Sequence, residues 1–129
     1  MNKLAIVGSH PDTRAEAPFD DLNYDIWVFN EAPKQDHWCK SWTATFQLHK
    51  RAVYESTNNF VNKGHWDWLK QDHGTAKTVW MQEIDERVPN SARFPLDEIR
   101  MTCPAASLGM FTSTVSMAVA LALYLGYET

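Results

Sequence analysis

The stretch Lys3-Leu4-Ala5-Ile6-Val7 is apolar at every position after the lysine and breaks at Gly8. A strand with one wet face alternates apolar and polar residues. An unbroken run needs cover on both faces, and that cover is found in parallel sheets flanked by helices. Tyr24-Asp25-Ile26-Trp27-Val28-Phe29 reads as a second strand, Trp42 to His49 as a third and Thr78 to Met81 as a fourth. The segments between them are of crossover length. The pattern predicts βαβ units, an α/β fold and a three-layer, doubly wound sandwich built on a mainly parallel sheet.

The connecting segments carry their own signals. Gly8 offers a permissive turn, and Asp12 or Thr13 a cap for a short helix from Arg14 to Ala17. A helix is expected from about Asn59 to Gln71, and the stretch from Glu83 to Pro104 reads as loop with a short element near Leu96 to Met101. A closing helix, rich in Ala, Val and Leu, starts near Phe111 and stops at Leu125-Gly126. Met117, Leu121 and Leu125, at i, i+4 and i+8, are expected to face the sheet. Met110 to Tyr127 is free of charge, but Thr112, Ser113, Thr114 and Ser116 crowd one end. The remaining apolar run is too short for a bilayer and suits a helix covering a sheet.

At 129 residues and 44% apolar content the chain is one domain with a full core. A net charge of −4 argues against nucleic acid as the partner. Two cysteines, Cys39 and Cys103, make no disulfide framework, and no secretory leader precedes the first strand; a cytoplasmic protein is expected. His37, Cys39, His49 and His65 match no zinc spacing, so neither metal nor cofactor is expected. There is no P-loop, no G-x-G-x-x-G and no G-x-S-x-G elbow. Of the six tryptophans, Trp27, Trp42 and Trp80 fall on strands and are expected in the core, while Trp38, Trp66 and Trp68 are candidates for stacking or an interface.

Ligands of parallel α/β sheets bind beyond the carboxyl ends of the strands. Those ends carry Gly8-Ser9-His10, Asn30-Glu31, Gln47-Leu48-His49 and Met81-Gln82-Glu83. His10, Glu31 and His49 are the candidate acid/base set there. Thr112, Ser113 and Thr114 would open the closing helix, where hydroxyls either cap the helix or meet an anion drawn to its N-terminus.

"KLAIVGSHPD", "DIWVFNEA" and "TSTVSMAVALALYLGYE", in that order, resemble a Rossmann-like group of glycosyltransferase-related proteins. The group includes small bacterial sialyltransferases and 6-hydroxymethylpterin diphosphokinase-like domains, and a phage or prophage member would fit. Its members open with a strand and a Gly-x-Gly-Pro-Ser loop. They carry an Asn at the tip of the second strand, and a Ser before a small-residue helix ending in Leu-Gly. Gly8, Pro11, Asn30, Ser113 and Leu125-Gly126 take those places. His10 stands where the group has its second Gly, Asp12 where it has Ser, and no strand with an Ile-x-Leu-x-Gly-x-Asp pattern follows Gly126. The resemblance implies a nucleotide or nucleotide-sugar ligand held by Gly8, Ser9, Pro11, Asp12, Asn30, Gln47, Thr112, Ser113 and Thr114. It implies transferase chemistry, or a binding protein that keeps the fold without it. A sheet edge left without its last strand is expected to be covered by a loop or by a second copy in a homodimer.

Overall fold

Five strands align side by side in the order of the chain, β1 (Lys3–Ile6), β2 (Tyr24–Phe29), β3 (Ala44–Gln47), β4 (Thr78–Met81) and β5 (Ser91–Arg93). All four ladders are parallel, with Leu4 opposite Asp25, Trp27 opposite Ala44, Thr45 opposite Val79 and Trp80 opposite Ala92. The computed structural model describes residues 2–57, 64–102 and 113–127. Their helices are α1 (Arg51–Tyr54), α2 (His65–Leu69), α3 (Leu96–Thr102) and α4 (Thr114–Tyr124), with 3-10 turns at Arg14–Glu16 and Ala32–Lys34.

The two faces of the sheet are covered by different parts of the chain. One face packs Ile26 and Val28 against Ala32, Trp38 and Cys39, and Val79 and Met81 against Tyr54, Trp66 and Leu69. These covering residues all come from connections between strands. The opposite face carries Trp27, Phe29, Ala44 and Phe46, and meets Ile99 of α3 and Ala118, Leu121 and Ala122 of α4. After β5 the chain therefore changes sides, and α4 packs back across the sheet to β1. The three-layer α/β expectation is met.

Local chemistry explains the ends of α4. Ser113 sits in extended backbone, its hydroxyl accepts the Ser116 N–H at 3.2 Å, and Ser116 Oγ faces the Ser113 N–H in return. At the other end Gly126 has φ 92°, with Gly126 N–H donating to Leu123 O and Tyr127 N–H to Ala122 O. That is a Schellman stop, which a residue with a Cβ adopts only under strain.

Several expectations need correction. β5 lies inside the segment read as loop, because Ser-Ala-Arg carries no apolar run and owes its extended form to pairing with β4. Leu125 does not face inward: as the α4 C-cap it is 40% exposed, and Ala118 and Ala122 join Leu121 at the sheet instead. Thr13 precedes the first 3-10 turn without capping it through its side chain. Gly8 has no positive φ, and a Cβ there would meet nothing within 4 Å, so the turn does not demand glycine. The expected helix from Asn59 is described only as α2, and the Phe111 start of the last helix lies outside the described residues. Among those residues no helix is long and apolar enough to cross a membrane.

Candidate functional site

The carboxyl ends of β3 and β4 diverge into two loops, and the gap between them is a cavity of about 600 Å3. His49, Lys50 and Arg51 border it from the β3 side, and Glu83, Asp85 and Arg87 from the β4 side. Gln82 ties the two exits together, its amide donating to Leu48 O at 2.7 Å. β3 ends at Gln47, and His49 follows in a bend that brings its ring back to the Gln47 amide.

The rim is ion-paired. Arg87 donates to both Asp85 and Glu55, and Arg51 donates to Glu55. Tyr54 OH adds a donor to Asp85 at 2.7 Å. The Arg87 side chain, reinforced by the Tyr54 hydroxyl, holds the Asp85 carboxyl well below the usual carboxylate range, against the opposing effect of burial. Burial, and then the Asp85 carboxylate, push the Tyr54 hydroxyl up to about 12. Arg87 also lies over the Trp66 ring at 4.8 Å, which fixes the guanidinium from below.

Behind His49 runs a buried polar line. His49 Nδ1 is 2.6 Å from Gln47 Oε1, and Gln47 Nε2 is 2.9 Å from His65 Nε2. Burial, with lesser contributions from Lys34 and His49, lowers His65 to about 4, so it is neutral at physiological pH. Its Nδ1 is buried with no hydrogen-bond partner among the described residues.

The other expected site residues are dispersed. His10 and Asp12 are exposed, with His10 Nδ1 accepting the Asp12 N–H at 3.2 Å. Pro11 is exposed as well, and the Ser9 carbonyl accepts from Arg14. Gly8 lines a separate cavity of about 260 Å3 with Thr13 and Arg14. Asn30 ends β2 with φ 52°, the one positive φ of a non-glycine among the described residues, and its backbone bonds Phe46 O and Thr45 Oγ1. Glu31 leads into the second 3-10 turn. Of the proposed acid/base set, only His49 borders the large cavity; His10 and Glu31 do not. Ser113 is occupied as a helix cap, Thr114 opens α4, and Thr112 lies outside the described residues.

Cys39 is buried, its thiol pushed up to about 11, chiefly by burial, which makes it a poor nucleophile. Among the described residues no three His, Cys, Asp or Glu side chains gather as metal ligands. Trp42, Trp68 and His73 form an aromatic stack instead, with Trp68 and His73 only 4.0 Å apart. Sequence reasoning missed the rim residues Tyr54, Asp85 and Arg87, and it missed the partnership of Gln47 with His65. The i, i+2 spacing of Gln47 and His49 was the one local signal for that line. Comparison with family models, with curated proteins and with solved structures finds no match to this chain.

Proposed function

We propose that the chain binds a nucleotide or nucleotide-sugar at the carboxyl edge of its parallel sheet and acts as a transferase, with His49 moving a proton. The observation that carries this reading is the large cavity at the exits of β3 and β4, where His49 stands among Lys50, Arg51 and Glu83. Basic groups there suit phosphate, and a histidine at the rim suits proton transfer. A second reading, a non-catalytic binding protein of phage type, has its own support. Arg51 and Arg87 already pair with Glu55 and Asp85, so these cations are balanced without a bound phosphate.

A thermal-shift screen against nucleotides and nucleotide-sugars tests the binding. A ligand at a hundred times its Kd adds about 2.7 kcal/mol, enough to raise Tm by several degrees. Turnover assays on each hit, with His49→Ala as control, separate the two readings. Turnover lost in the variant supports the transferase, binding without turnover the second reading, and no shift with any ligand overturns both.

A further inference from the structure

His49, Gln47 and His65 constrain one another more tightly than a surface histidine and its neighbours usually do. Gln47 and His65 are each only 2% exposed, so neither has water to replace its partner. His65 is also held in place as a ring, stacked on Trp68 at 5.8 Å and 11°, and Trp68 is backed in turn by His73. The Gln47 amide has one donor end and one acceptor end, and it bridges two imidazoles.

A neutral imidazole has one N–H and one bare nitrogen. With Nε2 of Gln47 facing His65 Nε2, that histidine nitrogen accepts, and its hydrogen lies on Nδ1, the buried nitrogen that has no partner among the described residues. With Oε1 of Gln47 facing His49 Nδ1, that nitrogen must carry a hydrogen. The other ring nitrogen of His49 is then bare. The line takes one of two polarities: with the Gln47 amide as placed, His49 is Nδ1–H, and turning the amide over keeps both bonds but gives His49 an Nε2–H.

We propose that Gln47 and His65 are positioning residues that hold His49 as its Nδ1–H tautomer, so that Nε2 serves the cavity as a proton acceptor. This rests on the reading of His49 as the proton-moving group. The reaction it prepares is removal of a proton from a ligand hydroxyl: the O–H bond breaks, an Nε2–H bond forms, and the electron pair stays on oxygen as the nucleophile. Accepting that proton leaves the Nδ1–H bond to Gln47 intact, so nothing behind the ring has to rearrange. The charged groups around His49 are Lys50 and Arg51 on its own connection, and Glu83, Asp85, Glu86 and Arg87 across the cavity. His65 is faced by Lys34 and by His49 itself.

The test is nitrogen NMR of the full chain labelled with 15N-histidine, at neutral to mildly alkaline pH and without ligand. The expected result is a His49 with a protonated Nδ1 and an unprotonated Nε2 as its main form. In His65→Phe, which keeps a ring on Trp68 and removes the acceptor, His49 should show an average of the two tautomers. Nε2–H as the main form in the unaltered protein overturns the proposal, and that measurement stands even if the variant does not fold. An unchanged His49 signature in a folded His65→Phe chain overturns it too. Because no ligand enters the measurement, its result is independent of the binding screen.

Discussion

Asp25 and Tyr127 are 102 positions apart and share a hydrogen bond, the tyrosine hydroxyl donating to Oδ2. The other oxygen of the same carboxylate accepts from Asn2 at 3.1 Å. The Tyr127 ring meets Trp27 edge-on at 5.6 Å, so the residue after the α4 stop is anchored by both its polar and its apolar parts.

Tyr127→Phe keeps the ring contact and removes the bond. It should lower stability by about 1–2 kcal/mol, read as a drop in urea midpoint with unchanged slope. Burial and the Asp25 carboxylate raise the pKa of the Tyr127 hydroxyl. A raised pKa favours the protonated form in the fold, so this stability is present below a pH of about 10 and is lost as pH rises further. The variant should show a shallower alkaline decline, with the remainder owed to Tyr54, whose hydroxyl titrates near about 12.

His65 makes the opposite demand. Its pKa is lowered to about 4, so the folded protein resists a proton that the unfolded chain takes up near 6.5. Its contribution is complete above about 6.5 and declines as pH falls toward about 4, by up to roughly 3 kcal/mol. Denaturant titrations across that window should show a slope in the unaltered protein that His65→Phe largely removes; equal slopes would show that His65 is not the group responsible.

Arg87 joins Asp85 and Glu55 and is the first cause of the lowered pKa of each. Lowered carboxylate pKa values mean stability that is present above about 4 and is lost as pH falls through the folded values. Arg87→Met should therefore reduce Tm at pH 7 and flatten the acid limb below pH 4 of a calorimetric profile. A variant as steep as the parent would move the acid sensitivity to other carboxylates.

Ser113→Ala removes a helix cap and should cost about 1 kcal/mol of stability. If the α4 N-terminus also meets the anion of a ligand, nucleotide affinity should fall by about 1 kcal/mol or more as well. Isothermal titration of the variant distinguishes the two roles, since unchanged affinity leaves Ser113 a cap alone.

β1 is an outer strand of the sheet, with the backbone groups of alternate residues directed away from β2. Bare edges invite pairing, and the expected outcome is a homodimer joined through β1. Light scattering at micromolar concentration should return twice the chain mass; a clean monomer refutes this.

What could be read from the chain was whatever burial writes into consecutive residues. β2, β3 and β4 announce themselves because both faces of a parallel strand are covered, and Val28, Phe46 and Val79 are wholly buried. β5 could not be read, since Ser91, Ala92 and Arg93 hold their form through a neighbour rather than through their own preference. The site divides in the same way. His49 was visible at a strand tip, whereas its link to His65 crosses 18 positions and depends on where α2 docks. The Asp85–Arg87–Glu55 rim was equally hidden, because a charge run in a loop looks the same whether it is solvated or folded back on itself. His10 and Glu31 were grouped with His49 because all three follow strands that are neighbours in the sheet, but only the β3 and β4 exits border the large cavity.

The division of labour between the two faces has a consequence for synthesis. Among the described residues, the face holding Trp27, Phe29, Phe46 and Trp80 takes most of its cover from α3 and α4, with Leu48 and Phe94 the earlier contributors. As the chain leaves the ribosome, five strands and one layer of covering turns and helices emerge while most of these aromatic rings lack that cover. Such surface is prone to association in a growing chain. Residues from Leu96 onward end that exposure, and α4, the last described helix, has to reach back to the first strand to do so. Chains truncated before α4 should therefore be recovered as aggregates or bound to chaperones, and the native sheet should become protease-resistant only when synthesis has passed Tyr127.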